Sequence, residues 1–469
     1  MSNYNISPAL NKNKVFLVNL SELLGRLDPA YNIAIRNSDL RTKYPTEQIG
    51  KLVRSFSGGT PSKANPEFWE GNILWASPKD FKEFYLTDTE DRISESALSD
   101  SSTTLAPANS LLIVVRSGVL IHTIPVAIAK LPMAINQDLK ALIPDERILP
   151  EYLGIYFRIY NDKLLPLIVK HSTTVQSINT EQFSKLKIPI PPKNIQQQII
   201  AVYVESLQIK KKNEAAAEKL LASIDDYLLK ELGITLPASI ENSLTNRIFT
   251  STLKSISTNR FDPFFHQSKF IANINAIRNG KYPAKPLLEI ISENLIKGTL
   301  PRQEEKEGKN PVVQINCITS DGTITLADLL TAKDIFTNEQ KLKIGDVLVV
   351  ITGATIGKIA QWNYEGEYFL GGDIVKFQTN SLADNSFVFH FLRSAPMQTE
   401  IKRNITGATN GHMGPDDIKH LPIPIPPIEK QKEIADHITG IRQQAQQLKE
   451  KTKEALSKAS QEIEKILLA

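Results

Sequence analysis

The sequence predicts an α+β protein built from two similar domains in tandem, separated by two long antiparallel coiled-coil helices. Three observations predict it. The pentapeptide Ile-Pro-Ile-Pro-Pro occurs at 188–192 and again at 423–427, 235 residues on in a chain of 469. At the same offset Gln196 falls on Gln431, Ile199 on Ile434, Leu186 on Leu421, Thr174 on Thr409, Asp138 on Asp373, Arg158 on Arg393 and Gly118 on Gly353. Arg26-Leu27-Asp28-Pro29 aligns with Arg260-Phe261-Asp262-Pro263 at an offset of 234. A repeat of that length is a domain used twice, since solenoid units are far shorter. The second observation is a heptad pattern after each pentapeptide, and the third is a mixture of short β-type and helical runs before it.

In chain order the expected parts are a first domain over 1–192, a helix over 193–234, a second domain over 235–427 and a second helix over 428–469. The mixed regions, roughly 20–187 and 255–422, carry β-branched runs such as Leu111–Val115, Val312–Ile315 and Val347–Ile351. Helical stretches interleave at Pro150–Tyr160 and Asn385–Ala395, which reads as α+β rather than a regular βαβ alternation. Proline donates nothing to a ladder and biases its predecessor to extended backbone, so each pentapeptide reads as a short stiff connector. A helix follows at once. In the first, Ile199, Val202, Ile209 and Leu220 lie on one stripe, and Gly233 supplies the stop. In the second, Ile434, Ile438, Ile441, Leu448 and Ile463 belong to a stripe that steps mostly by fours and threes. Lys, Glu and Gln surround both stripes, so neither helix buries its own; the simplest partner of each is the other.

Composition narrows the function. The single cysteine, Cys317, excludes an internal disulfide and fits a reducing compartment. The first residues show no basic stretch followed by an apolar one, and the longest apolar runs are strand-length, far short of the ~20 residues that span a bilayer. A cytoplasmic protein without membrane contact is expected. The net charge of +4 permits nucleic acid without demanding it. No phosphate loop, dinucleotide fingerprint or nucleophile elbow appears, and the seven histidines show no metal-ligand spacing. Asp416-Asp417 reads as the cap of a short helix after Pro415. No catalytic or metal residue is expected.

What remains are glycine- and hydroxyl-rich loops at matching places in the two halves. Ser57-Gly58-Gly59-Thr60-Pro61-Ser62-Lys63 matches Lys297-Gly298-Thr299-Leu300-Pro301-Arg302. Arg116-Ser117-Gly118 matches Thr352-Gly353-Ala354-Thr355-Ile356-Gly357-Lys358. Glycine lets backbone N–H groups approach an anion, hydroxyls donate hydrogen bonds, and Lys or Arg neutralises phosphate or reads guanine. Gly59, Thr60, Ser62, Lys63, Arg116, Ser117, Lys297, Thr299, Arg302, Thr352, Thr355 and Lys358 are therefore the candidate DNA contacts.

With these loops in place the chain resembles the specificity subunit of type I restriction–modification enzymes. The likeness rests on the loop at 58–63, on Ile73-Leu74-Trp75-Ala76-Ser77-Pro78-Lys79-Asp80, and on Gly345-Asp346-Val347-Leu348-Val349 leading to Gly353 and Gly357. The two pentapeptides with Gln196 or Gln431 after them, and the helices that follow, complete it. The resemblance adds Lys79 to the contacts. It implies two target-recognition domains, each reading half of a split site, and paired helices that set the spacing and dock methyltransferase subunits. The implied partners are double-stranded DNA and two methyltransferase subunits, with or without restriction subunits. This chain needs no cofactor; S-adenosylmethionine belongs to the methyltransferase. Where the first half has Asn109-Ser110 the second has Gly345-Asp346, and Gln314-Ile315-Asn316 replaces the Trp75 to Asp80 motif. The halves are therefore expected to read different bases.

A helix over 195–232 is roughly 57 Å long at ~1.5 Å per residue, which caps the half-site separation at about 16 base pairs. Docking on one face of the duplex favours about 10. Two other readings compete: a tandem enzyme using Asp138 and Asp373, and a coiled-coil scaffold that assembles proteins without reading sequence.

Overall fold

The computed structural model describes residues 42–170, 175–238, 248–250, 252, 260–327, 329–407 and 411–468. The segment Arg26–Pro29 and the pair Thr174 and Thr409 lie outside these residues. Two compact units emerge, one of Met1–Asn213 with Glu450–Ala469 and the other of Glu214–Lys449. The division cuts both long helices, Lys193–Leu232 and Ile428–Leu467, so each unit is a mixed domain packed on two helix segments from distant parts of the chain.

In the first unit a five-stranded sheet runs Val53–Ser57, Leu139–Pro144, Leu111–Val114, Val126–Ala129, Tyr85–Leu86. All four residues of Leu111–Val114 are buried because both faces of the sheet are covered. Leu111 and Ile113 join the core under helix Pro150–Ile159, which contributes Tyr152, Leu153, Tyr156 and Phe157. Leu112 and Val114 point the other way, into a core shared with Ala76, Met133 and Ile135 of a second, four-stranded sheet. Period-two alternation thus feeds two cores from one strand.

The second unit repeats the plan. Its four-stranded sheet runs Ile296–Lys297, Ile374–Phe377, Val347–Val350, Ile359–Gln361. Val347 and Val349 face the helix core, whereas Leu348 and Val350 face the side that holds Trp362 and Cys317. The parallel pairing of Ile73–Ala76 with Met133–Ile135 recurs as Val312–Val313 beside Phe369–Leu370. A 3₁₀ turn follows in both cases, Pro78–Asp80 in one and Ile315–Cys317 in the other. Gln314-Ile315-Asn316 therefore holds the same place as the Trp75 to Asp80 motif with different chemistry.

The pentapeptides are more than connectors. Lys187–Pro189 forms a strand antiparallel to Thr46–Gln48, and Pro422–Pro424 pairs in the same way with Ala284–Pro286. Each ladder has two strands, so a proline nitrogen can face away from the partner without losing a bond.

Within each unit the helix segments run antiparallel. In the second unit Glu231 pairs with Lys430 at 2.7 Å, and the rings of Tyr227 and His437 lie 4.0 Å apart. Ile224, Leu228 and Leu232 share a core there with Ile434, Ile438 and Ile441; Leu220 and Leu448 are half-buried. In the first unit Ile199 and Tyr203 share a core with Ile463 and Leu467. The expected seam is corrected at Ile209, which is 37% exposed. Val202 is half-buried and packs against the edge of the same core. The stripe runs through Tyr203, whose ring packs 5.3 Å from that of Phe84 and whose hydroxyl accepts from Arg158 at 3.3 Å. That face must serve the mixed domain as well as the other helix, which turns the helix toward Tyr203.

Candidate nucleic-acid interface

In the first unit the loop at 57–63 is clamped by backbone. A Cβ on Gly58 would lie 1.8 Å from the Ile135 oxygen, so only glycine fits. The Gly59 N–H donates to the same oxygen at 3.0 Å, and the Trp75 indole donates to the Gly59 carbonyl at 3.2 Å. Thr60 then donates its hydroxyl to the Gln137 side chain. Next to Gln137, the Asp138 carbonyl accepts the N–H groups of Val115 at 2.8 Å and Arg116 at 3.3 Å. The expected contacts Thr60 and Arg116 are thereby joined through one turn. Ser117 caps the following 3₁₀ turn, accepting from Val119 N–H at 3.4 Å, and Ser62 accepts from Ala64 N–H at 3.3 Å. Lys63 and Arg116 are exposed, with no ion pair among the described residues.

Lys79 departs from expectation. Its ammonium pairs with Asp91 at 2.9 Å and Glu90 at 3.2 Å. Those hydrogen bonds, Asp91 first, raise its pKa above the usual lysine value. It is an engaged charge that must exchange partners before it can meet a phosphate. With Ser117, Val119 and Arg158 it lines a cleft of about 550 Å³.

The second unit uses the same close approach. A Cβ on Gly298 would meet the Gly371 oxygen at 1.9 Å, and Thr299 N–H donates to Leu370 at 3.2 Å. Gln340 holds this loop, donating to the Lys297 carbonyl at 3.0 Å and the Thr299 hydroxyl at 2.8 Å. Lys297 and Arg302 are exposed and without ion pairs among the described residues. In the other loop Gly353 and Gly357 have φ of +82° and +85°, and Thr352 Oγ1 lies 3.2 Å from His412 Nδ1. Thr355 Oγ1 is buried and unpartnered. Lys358, expected to be a free cation, folds inward and donates to the Ile318 carbonyl at 3.0 Å.

Sequence reasoning passed over Gln137, Gln340 and His412. Gln137 and His412 had a signal: one precedes the matched Asp138, and the other lies 235 residues after Ser177, which bridges Arg116 as His412 bridges Thr352. Gln340 had none. Asp138 and Asp373 act through their backbone, Asp373 accepting the Ile351 N–H at 2.9 Å. Among the described residues no cluster of His, Cys, Asp and Glu could hold a metal ion, and no helix is long and apolar enough to cross a membrane.

Two halves with the same loops, turns and carbonyl acceptors are matched by one family model. The model for the type I restriction modification DNA specificity domain covers residues 43–219 and again 285–458. The chain belongs to this family. Among similar members, the type I restriction enzyme EcoR124I/EcoR124II specificity subunit of Escherichia coli is 42% identical over 155 residues, 33% of this chain and 38% of that protein. The putative type I restriction enzyme MjaX specificity subunit of Methanocaldococcus jannaschii is 25% identical over 344 residues, 71% of each chain. The match to the Escherichia coli relative thus spans well under half of that protein's length. A type I restriction-modification S subunit from M. genitalium, solved by crystallography, aligns over 91% of this specificity-family chain and 97% of its own, at 14% identity and a TM-score of 0.48.

Proposed function

We propose that this chain is the non-catalytic, DNA-reading specificity subunit of a type I restriction–modification complex. The family match to both halves carries the reading. The domains at 1–192 and 235–427 each read one half of a split, asymmetric site. The helices at 193–234 and 428–469 set the spacer and dock two methyltransferase subunits, which bring S-adenosylmethionine, with or without restriction subunits in the same complex. Lys63 and Arg116 in one half, and Lys297 and Arg302 in the other, neutralise backbone phosphates. Thr60 with Gln137, Thr299 with Gln340, and Thr352 with His412 present donors and acceptors to base edges.

The test is to co-express the chain with its cognate methyltransferase subunit and map methylated positions across a genome. Two short half-sites at a fixed separation are expected. Methylation without sequence preference favours the assembly scaffold and rejects the reading. A salt titration refines the contacts. Lys63→Gln or Arg116→Gln should each lower affinity on all sequences and flatten the plot of log K against log salt by about one charge.

A further inference from the structure

The second unit carries a cavity of about 320 Å³ that the DNA-reading loops do not use. Its walls are the turn at Asp321, the helix Asn385–Leu392 with Arg393 just after it, and the long helix Ile428–Leu467. Arg393 and Arg442 both line it. Arg442 donates to the Asp321 carbonyl at 3.2 Å and Arg393 to the Ser320 carbonyl at 3.4 Å, so both spend donors on backbone. Neither has a carboxylate within 4 Å among the described residues. The Asp321 carboxylate is taken by Lys449 at 3.2 Å and by the hydroxyls of Thr319 and Thr323. Asp225 accepts the Ala395 N–H at 3.2 Å. Two further polar atoms, Arg442 Nε and His390 Nδ1, are buried without any hydrogen-bond partner, and His390 is 3% exposed.

Neighbouring half-buried guanidiniums, with the Asp321 and Asp225 carboxylates acting on them only at longer range, repel one another, and an orphaned buried donor adds to the cost. Burial, reinforced by Arg442, pulls Arg393 down to about 9, and burial lowers Arg442 as well. A bound anion relieves each of these at once. We propose that this cavity binds a small phosphorylated molecule, with its phosphate held between Arg393 and Arg442. A phosphomonoester brings three acceptor oxygens and about −1.5 to −2 charge at neutral pH, which suits two guanidiniums better than a halide or a single carboxylate does. His390 supplies a third donor from Nδ1 when its Nε2 accepts from Thr439 Oγ1, 3.1 Å away. Tyr364, Phe389 and Ile324 give the organic part an apolar wall. Because turn and helix both contribute, occupancy ties the mixed domain of this unit to its helix.

The experiment titrates phenyl phosphate, with inorganic phosphate in parallel, into the full chain and follows the ³¹P line width. Saturable broadening is expected, at lower concentration for phenyl phosphate because of the apolar wall. Arg442→Gln should weaken it roughly tenfold or more, the range for losing a charged hydrogen-bond partner. Lys432→Gln, on the exposed side of the same helix, should leave it unchanged. Should Arg442→Gln fail to fold by circular dichroism, Arg393→Lys takes its place, since it keeps the charge and loses the fork. No saturable broadening, or equal broadening in the wild type and the folded variant, overturns the proposal. Broadening abolished by excess duplex DNA also overturns it, because the phosphate then sits on the DNA-facing loops.

Discussion

Gln196 and Gln431 show how much one side chain can specify. Both are fully buried, at 0% exposure. Gln196 accepts the Leu149 N–H at 2.8 Å and donates to Arg147 and Pro191 carbonyls at 2.9 and 2.8 Å. Gln431 repeats all three bonds with Asp384, Leu382 and Pro426, each 235 residues on. Glutamine alone among the side chains of this length both accepts and donates, so it stitches pentapeptide, helix and mixed domain together. Gln431→Ala should cost about 1–3 kcal/mol per orphaned buried group in urea unfolding, and Gln431→Glu should not rescue it. The left-handed residues form a second matched pair, Asn109 at φ 64° and Gly345 at φ 92°. Asparagine tolerates that region and alanine does not, so Gly345→Ala should lose about 1–2 kcal/mol while Asn109→Gly changes little. His390 gives a pH signature. Burial first, then Arg442 and Arg393, pushes it down to about 3 from 6.5. The unfolded chain therefore binds the extra proton between those values, and stability is present above pH 6.5 and falls on acidification. The expected slope is about 1.4 kcal/mol per pH unit below 6.5. Urea midpoints at pH 7 and pH 5 should show that slope in the wild type and not in His390→Phe.

At the scale of elements, the helices were legible in extent and only partly in facing. The pattern after each pentapeptide gives both helices to within a turn, and Gly233 ends the first in a left-handed cap at φ 62°. The second seam passes through aliphatic residues and reads directly. The first passes through Ser206, Lys210 and Asn213, so a count of apolar residues drifts by one position to Val202 and Ile209. The repeat itself held the answer: moving Ile438, Thr452 and Ala459 back by 235 lands on Tyr203, Ala217 and Ile224, which are the buried positions. Tyr203→Ala should therefore cost about 3 kcal/mol or more, whereas Ile209→Ala should stay within about 0.5. The loops were legible as places and not as partners. Glycines marked them, but nothing in the sequence said that Lys79 would meet Asp91 or that Lys358 would turn inward to Ile318. Such pairings depend on strand register, which sets Asp91 beside Trp75, and on loop path, which pattern alone does not show.

At the scale of the whole molecule, the fold class, the duplication and the helices follow from period and pattern. Which residues of each half face DNA does not. The two long helices nevertheless set a prediction of their own. Removing one heptad at equivalent places, 210–216 and 445–451, shortens each helix by about 10.5 Å, so the unread spacer should contract by roughly 3 base pairs in methylation maps. An unchanged spacer would show that the helices do not measure the site. The two-stranded ladders carry one more consequence. Because Thr46–Gln48 lies beside Lys187–Pro189, residues 49–186 start and end at a single point, and Ala284–Pro286 beside Pro422–Pro424 does the same for residues 287–421, against which the preceding helix Ser268–Arg278 packs. Each of these segments is closed by one short ladder, so a foreign segment with the same end strands could be grafted there without rebuilding the helices, provided that in the second unit it keeps the surface that meets Ser268–Arg278.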